Sequence, residues 1–118
     1  MQAGKGTGVK QIGSEFRQMA LWQKAQTFAS EVAQVVGAMP SRNKVADIVG
    51  AQLLRAATSI PANIAEGYGR FSQAAYRNHL SMARGSAFEV ESWLDLLSRQ
   101  GLISADEATR LMGQCTEL

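Results

Sequence analysis

The chain has 118 residues, the length of one domain, with 46% hydrophobic against 19% charged residues. That balance is globular and excludes an intrinsically disordered chain, and the length supports one core but not two. Twelve basic and ten acidic residues leave a net charge of +2, a bias that neither demands nor excludes a nucleic-acid partner.

Residues 1–14 carry four glycines and almost no large apolar groups, so they are expected to form a mobile N-terminal tail ahead of a domain over residues 15–118. From residue 15 to 38, Phe16, Met19, Trp22, Phe28, Val32, Val35 and Val36 recur at three- and four-residue steps. This spacing predicts a first helix with one apolar face, ended by Gly37 and Pro40. Ser41 is the expected cap of a second helix over residues 42–66, striped by Val45, Ile48, Val49, Leu53, Ala56, Ala57 and Ile60. Pro61 lies inside that pattern and should kink the helix or break it at Ile60, because it lacks an N–H and its ring crowds the preceding turn. Gly67 and Gly69 read as the helix stop. Ser72 caps a third helix running to about Gln100 and closed by Gly101; Ser104 caps a last one over residues 105–115. No alternating strand pattern competes. Short connections between four helices predict an all-α, antiparallel up-and-down four-helix bundle, its second helix kinked near Pro61.

Little in the chain can do covalent chemistry. Ser59, His79 and Asp47 or Asp95 lack the strained nucleophile turn of a hydrolase, and His79 belongs to a helix stripe. Cys115 is the single cysteine, in the last turn of a helix where the dipole disfavours a thiolate. The segment Gly67-Tyr68-Gly69-Arg70 follows a helix rather than a strand and lacks the Lys-Ser/Thr of a phosphate loop. Glu89, Glu91 and Asp95 have no His or Cys beside them to complete a metal site. A non-enzyme without metal or cofactor is expected. No apolar run approaches the roughly 20 residues of a membrane span, and residues 1–8 are not followed by the apolar stretch of a secretory signal. A cytoplasmic protein with no membrane partner follows as the expectation.

Two patterns are more informative. Small residues at 83, 85, 86 and 87 predict a close helix–helix contact at Gly85 and Ala87, facing Ala56-Ala57. Among the charges, Lys44 with Asp47, Arg99 with Asp95 and Arg110 with Asp106 have intrahelical spacing. Arg17, Lys24, Arg55, Arg77 and Arg84 have no carboxylate three or four residues away. Arg17 and Lys24 are seven apart, as are Arg77 and Arg84, so each pair is expected to share a helix face; Arg70 extends the second series into the loop. Such a face suits phosphates, or else meets Glu31, Glu89 and Glu91 across helices or subunits. Arg55 and Glu66, eleven apart, would share a face if the kink is mild, and Asn63 would bond backbone groups released by Pro61.

The stretch from Gln52 to Arg70, QLLRAATSIPANIAEGYGR, resembles the signature of the four-helix bundle proteins encoded in 23S ribosomal RNA intervening sequences. WQKA at Trp22 and ARGSAFEVE at Ala83 are similar to that family's pattern as well. The accessory variability protein of diversity-generating retroelements shares that family's fold. The resemblance implies a homo-oligomer, a pentameric ring of bundles, with RNA or DNA and a reverse transcriptase among the partners. Read physically, Arg55, Pro61, Asn63, Glu66, Gly67 and Gly85 have structural roles, and the charge pattern leaves Arg17, Lys24, Arg70, Arg77 and Arg84 as the candidate nucleic-acid contacts. Excess aromatic residues (Trp22, Trp93, Phe71, Tyr76 and Phe88) fit an interface.

Overall fold

A computed structural model describes residues 14–118. A short 3-10 helix, Ser14–Gln18, precedes four α-helices: α1 (Ala20–Gly37), α2 (Lys44–Tyr68), α3 (Gln73–Arg99) and α4 (Ala105–Thr116). They form an antiparallel up-and-down bundle, with no strand among the described residues. The expected tail lies outside the described residues, apart from Ser14. α2 packs along both α1 and α3, and α4 closes over α3 and α1.

The core takes up most of the predicted stripes, but Val45 and Ile48 of the second stripe are exposed, because the first turns of α2 are not covered on that face. Phe28, Val32, Leu53, Ile60, Ile64, Val90, Leu94, Leu97 and Leu111 are buried, and Ala25, Ala56, Ala57 and Ala108 let the helices approach. Ser72 and Ser104 cap as expected, accepting from the N–H groups of Ala75 and Glu107 at 3.0 Å. Gly101 closes α3 at φ +72°, a left-handed conformation that suits glycine.

Five expectations about these elements are corrected. The first helix does not start at residue 15. Met19 is extended, the 3-10 turn bonds back through Met19 N–H to the Phe16 carbonyl, and Phe16 stacks edge-on against Trp22 at 5.2 Å. Second, α2 is capped by Asn43, not Ser41. Arg42 takes φ +59°, turning the chain so that the Asn43 side chain accepts from Ala46 N–H at 2.9 Å. Asn43→Ala should therefore cost about 1 kcal/mol in thermal or urea unfolding. Ser41→Ala should change stability by no more than about 0.5 kcal/mol.

Third, Pro61 does not break α2 at Ile60. Ala57, Ile60, Pro61 and Ile64 are all buried, so packing on both sides of the ring holds the two halves in one unbroken helix. Fourth, Gly67 is not a turn glycine. It lies buried inside α2, where an added Cβ would stand 2.8 Å from the Cβ of His79 and 3.1 Å from Tyr76 Cδ1. It lets α2 and α3 approach closely at this level. Gly85, by contrast, is exposed and faces no atom within 4 Å, so the expected close contact at this position is overturned within the chain. The α2–α3 contact uses its neighbours instead: Ala83 is buried, and Ser59 and Ser86 share a 2.6 Å hydroxyl hydrogen bond.

Candidate nucleic-acid interface

The basic side chains fall into two groups. One group is tied up within the fold. Arg55 of α2 pairs with Glu89 of α3, which also accepts from Trp93 Nε1 at 3.0 Å. Arg99 pairs with Asp95 at 2.7 Å, as its spacing predicts. Arg110 crosses to Glu31 of α1 at 2.7 Å, with Glu107 at 3.6 Å, rather than meeting Asp106. That guanidinium, assisted by the Gln114 amide, holds the Glu31 carboxyl below the usual carboxylate range. Arg70 pairs with Glu66 at 2.7 Å. Arg55 and Glu66 thus have separate partners and do not form the pair their shared face would allow.

The other group is free. Arg17, Lys24, Arg77 and Arg84 are exposed, and among the described residues none pairs with a carboxylate. Arg77 and Arg84 share a face of α3, as their seven-residue spacing predicts. Arg84 lies over the Phe88 ring at 5.5 Å, a contact across one helical turn. Arg17 lies over Phe16 at 5.9 Å, but on the 3-10 helix. The extended Met19 separates it from Lys24 on α1, so those two do not share one continuous helix face. Arg42 and Lys44 are also without an ion pair among the described residues; the expected Lys44–Asp47 pair does not form, and both cations flank the α1–α2 turn.

The signature residues have structural partners. Asn63 Nδ2 donates to the Ser59 carbonyl at 2.9 Å, one turn back along α2. The carbonyl that Pro61 releases is that of Ala57, so Asn63 does not satisfy it. Asn63 Oδ1 lies 3.2 Å from His79 Nδ1, and Arg70 Nε donates to His79 Nε2 at 3.2 Å. Since a guanidinium only donates, Nε2 must accept and Nδ1–H must donate to Asn63. A chain of hydrogen bonds therefore runs from Glu66 through Arg70, His79 and Asn63 to the α2 backbone, satisfying the buried imidazole.

His79 is thus occupied with Asn63 and Arg70, while Ser59 bonds Ser86 and the Ala56 carbonyl, so no Ser-His arrangement is assembled. An open, largely apolar cavity of about 450 Å³ is lined by Leu21, Ile60, Ile64, Leu80, Phe88 and Cys115, among others. Burial, with a smaller effect from Glu91, pushes the Cys115 thiol up to about 11. Its Sγ donates to the Ala87 carbonyl at 3.4 Å. At pH 8 an alkylating reagent should modify Cys115 in folded protein on the order of a hundredfold more slowly than in urea-unfolded protein. The folded value lies above the ordinary 9.0. The thiol's contribution to stability is therefore complete below pH 9 and is lost as pH rises toward 11, a loss absent from Cys115→Ala. Among the described residues no cluster of His, Cys, Asp and Glu could hold a metal ion, and no helix is long and apolar enough to cross a membrane.

Of the aromatic residues expected at an interface, Trp22, Tyr76 and Trp93 are half-buried within the chain. Phe71 is fully exposed and Phe88 is 59% exposed. The alternative that unpaired arginines meet Glu31 and Glu89 across helices holds for Arg55 with Glu89, while Arg110 takes Glu31; the partners lie 34 and 79 residues apart, so spacing did not assign them. The Arg84–Phe88 contact was readable as an i, i+4 pair.

The architecture has a solved counterpart. A crystal structure of a protein of unknown function from the S23 ribosomal protein family of Bacteroides thetaiotaomicron superposes with a TM-score of 0.77 and 31% sequence identity, over 82% of this chain and 86% of that one. No curated protein matches the chain. The family model for the 23S rRNA-intervening sequence protein matches residues 17–118, and the chain therefore belongs to that family.

Proposed function

We propose that this protein is a non-enzymatic accessory factor of the cytoplasm that assembles as a homo-oligomer, a pentameric ring, and binds nucleic acid through its phosphates, RNA foremost. The observation that carries this reading is the free group of cations. Four of the chain's arginines are neutralised by carboxylates of the fold. Arg77 and Arg84 stand together on α3 without one, and Lys24 and Arg17 add to the charge on and before α1. A ring repeats each free cation around its axis, so a chain of net charge +2 builds a locally positive surface. The family's name, which refers to a segment of ribosomal RNA, supports the choice of RNA. Fluorescence anisotropy with a labelled RNA is the test. Binding at about 50 mM salt that fades by about 200 mM is expected; no binding at the lower salt would overturn the reading.

A second reading, a protein–protein assembly module without nucleic acid, draws on a different observation. Ile48 and Met82 are 59% and 48% exposed on α2 and α3, with Val45 one turn from Ile48. Exposed apolar side chains of this size suit a subunit contact.

A further inference from the structure

We propose that the end of the bundle formed by the α2–α3 turn binds single-stranded nucleic acid, with unpaired bases stacking on Phe71 and Tyr68. The inference rests on the nucleic-acid reading above and specifies which form of nucleic acid is bound and where. Phe71 projects entirely into solvent, and Tyr68, the last residue of α2, is 42% exposed. An aromatic ring that buries nothing gains nothing for the fold.

The turn nevertheless anchors the backbone on both sides of Phe71. On one side Arg70 N–H bonds the Gly67 carbonyl at 3.1 Å, and the Arg70 guanidinium is fixed by Glu66 and His79. On the other, the Ser72 hydroxyl accepts from Ala75 N–H. The backbone that presents the ring therefore loses little freedom on binding. Its sequence neighbours are Arg70, Ser72 and Gln73, and the free Arg77 follows one turn into α3. An apolar protein partner would need further apolar surface around the ring. A cationic, polar surround instead suits a base on the ring face and a phosphate on the free Arg77. A duplex hides the faces of its bases, so the stacking surface selects single strands.

The test compares a labelled 12-residue oligouridylate with a blunt 12-base-pair RNA duplex, using the full chain. Phe71→Ala should weaken oligouridylate binding about five- to a hundredfold. Phe71→Trp should retain it, and the salt dependence should stay as in the wild type because no charge is lost. Duplex binding should be weaker than oligouridylate binding and indifferent to Phe71. Unchanged oligouridylate affinity in Phe71→Ala, while Arg77→Ala with Arg84→Ala still weakens it, would overturn this inference alone. Absence of any binding by the wild type would overturn the nucleic-acid reading as well. A fall in assembly mass on light scattering of Phe71→Ala would make the ring a subunit contact and would also overturn it.

Discussion

Gly67→Ala is expected to lower the stability of the protein by about 1–3 kcal/mol. In a chain of this length that is a fall in Tm of roughly 5–20 °C. The added methyl would stand 2.8 Å from the Cβ of His79, which is carried directly on the α3 backbone and has no rotamer to give. Relief requires α2 and α3 to separate, and their separation stretches the Asn63–His79 and Arg70–His79 hydrogen bonds. Gly85→Ala is expected to act in the opposite direction. It adds its methyl to open space in the middle of a 27-residue helix, and removing a mid-helix glycine gains up to about 1 kcal/mol. Differential scanning calorimetry of the two variants checks the contrast. A Gly67→Ala variant as stable as the wild type would show that α2 and α3 do not meet closely at that position.

The same two glycines mark where the sequence was legible and where it was not. Helix periodicity placed α2, α3 and α4 correctly and most of the buried face of α2, but it could not tell that Val45 and Ile48 at the start of that face are left uncovered. Caps were readable where a serine stands directly before the periodic run, as at Ser72 and Ser104. At Ser41 the local signal misled, since the left-handed Arg42 moved the capping position to Asn43. Gly67 and Gly85 look alike in sequence, yet only the distance between two helices separates a required glycine from a dispensable one.

The candidate site divides in the same way. Arg77 and Arg84 were identified correctly as unpaired within their helix, because the i, i+3 and i, i+4 rule depends only on spacing. Arg55 fell into the same set, but pairs across helices with Glu89, and Arg110 left its expected partner for Glu31. Pairs across helices depend on helix packing and rotation, which no local spacing encodes.

Arg77→Ala combined with Arg84→Ala is expected to weaken RNA binding by roughly ten- to a hundredfold at about 0.1 M salt, through the counterions no longer released. Neither side chain has an ion pair to lose among the described residues, so the variant should keep the wild type's mass in solution and its melting temperature. If instead the variant dissociates into monomers, the two arginines serve subunit contacts and the assembly-module reading is the better one.

The most direct measurement is the salt dependence of RNA affinity for the wild type and this double variant. With four phosphate contacts per chain, the wild-type slope of log affinity against log salt is expected at about −3 for one bound chain. Removing two contacts should flatten it by about 1.5. Identical slopes for the two proteins would contradict phosphate binding by Arg77 and Arg84.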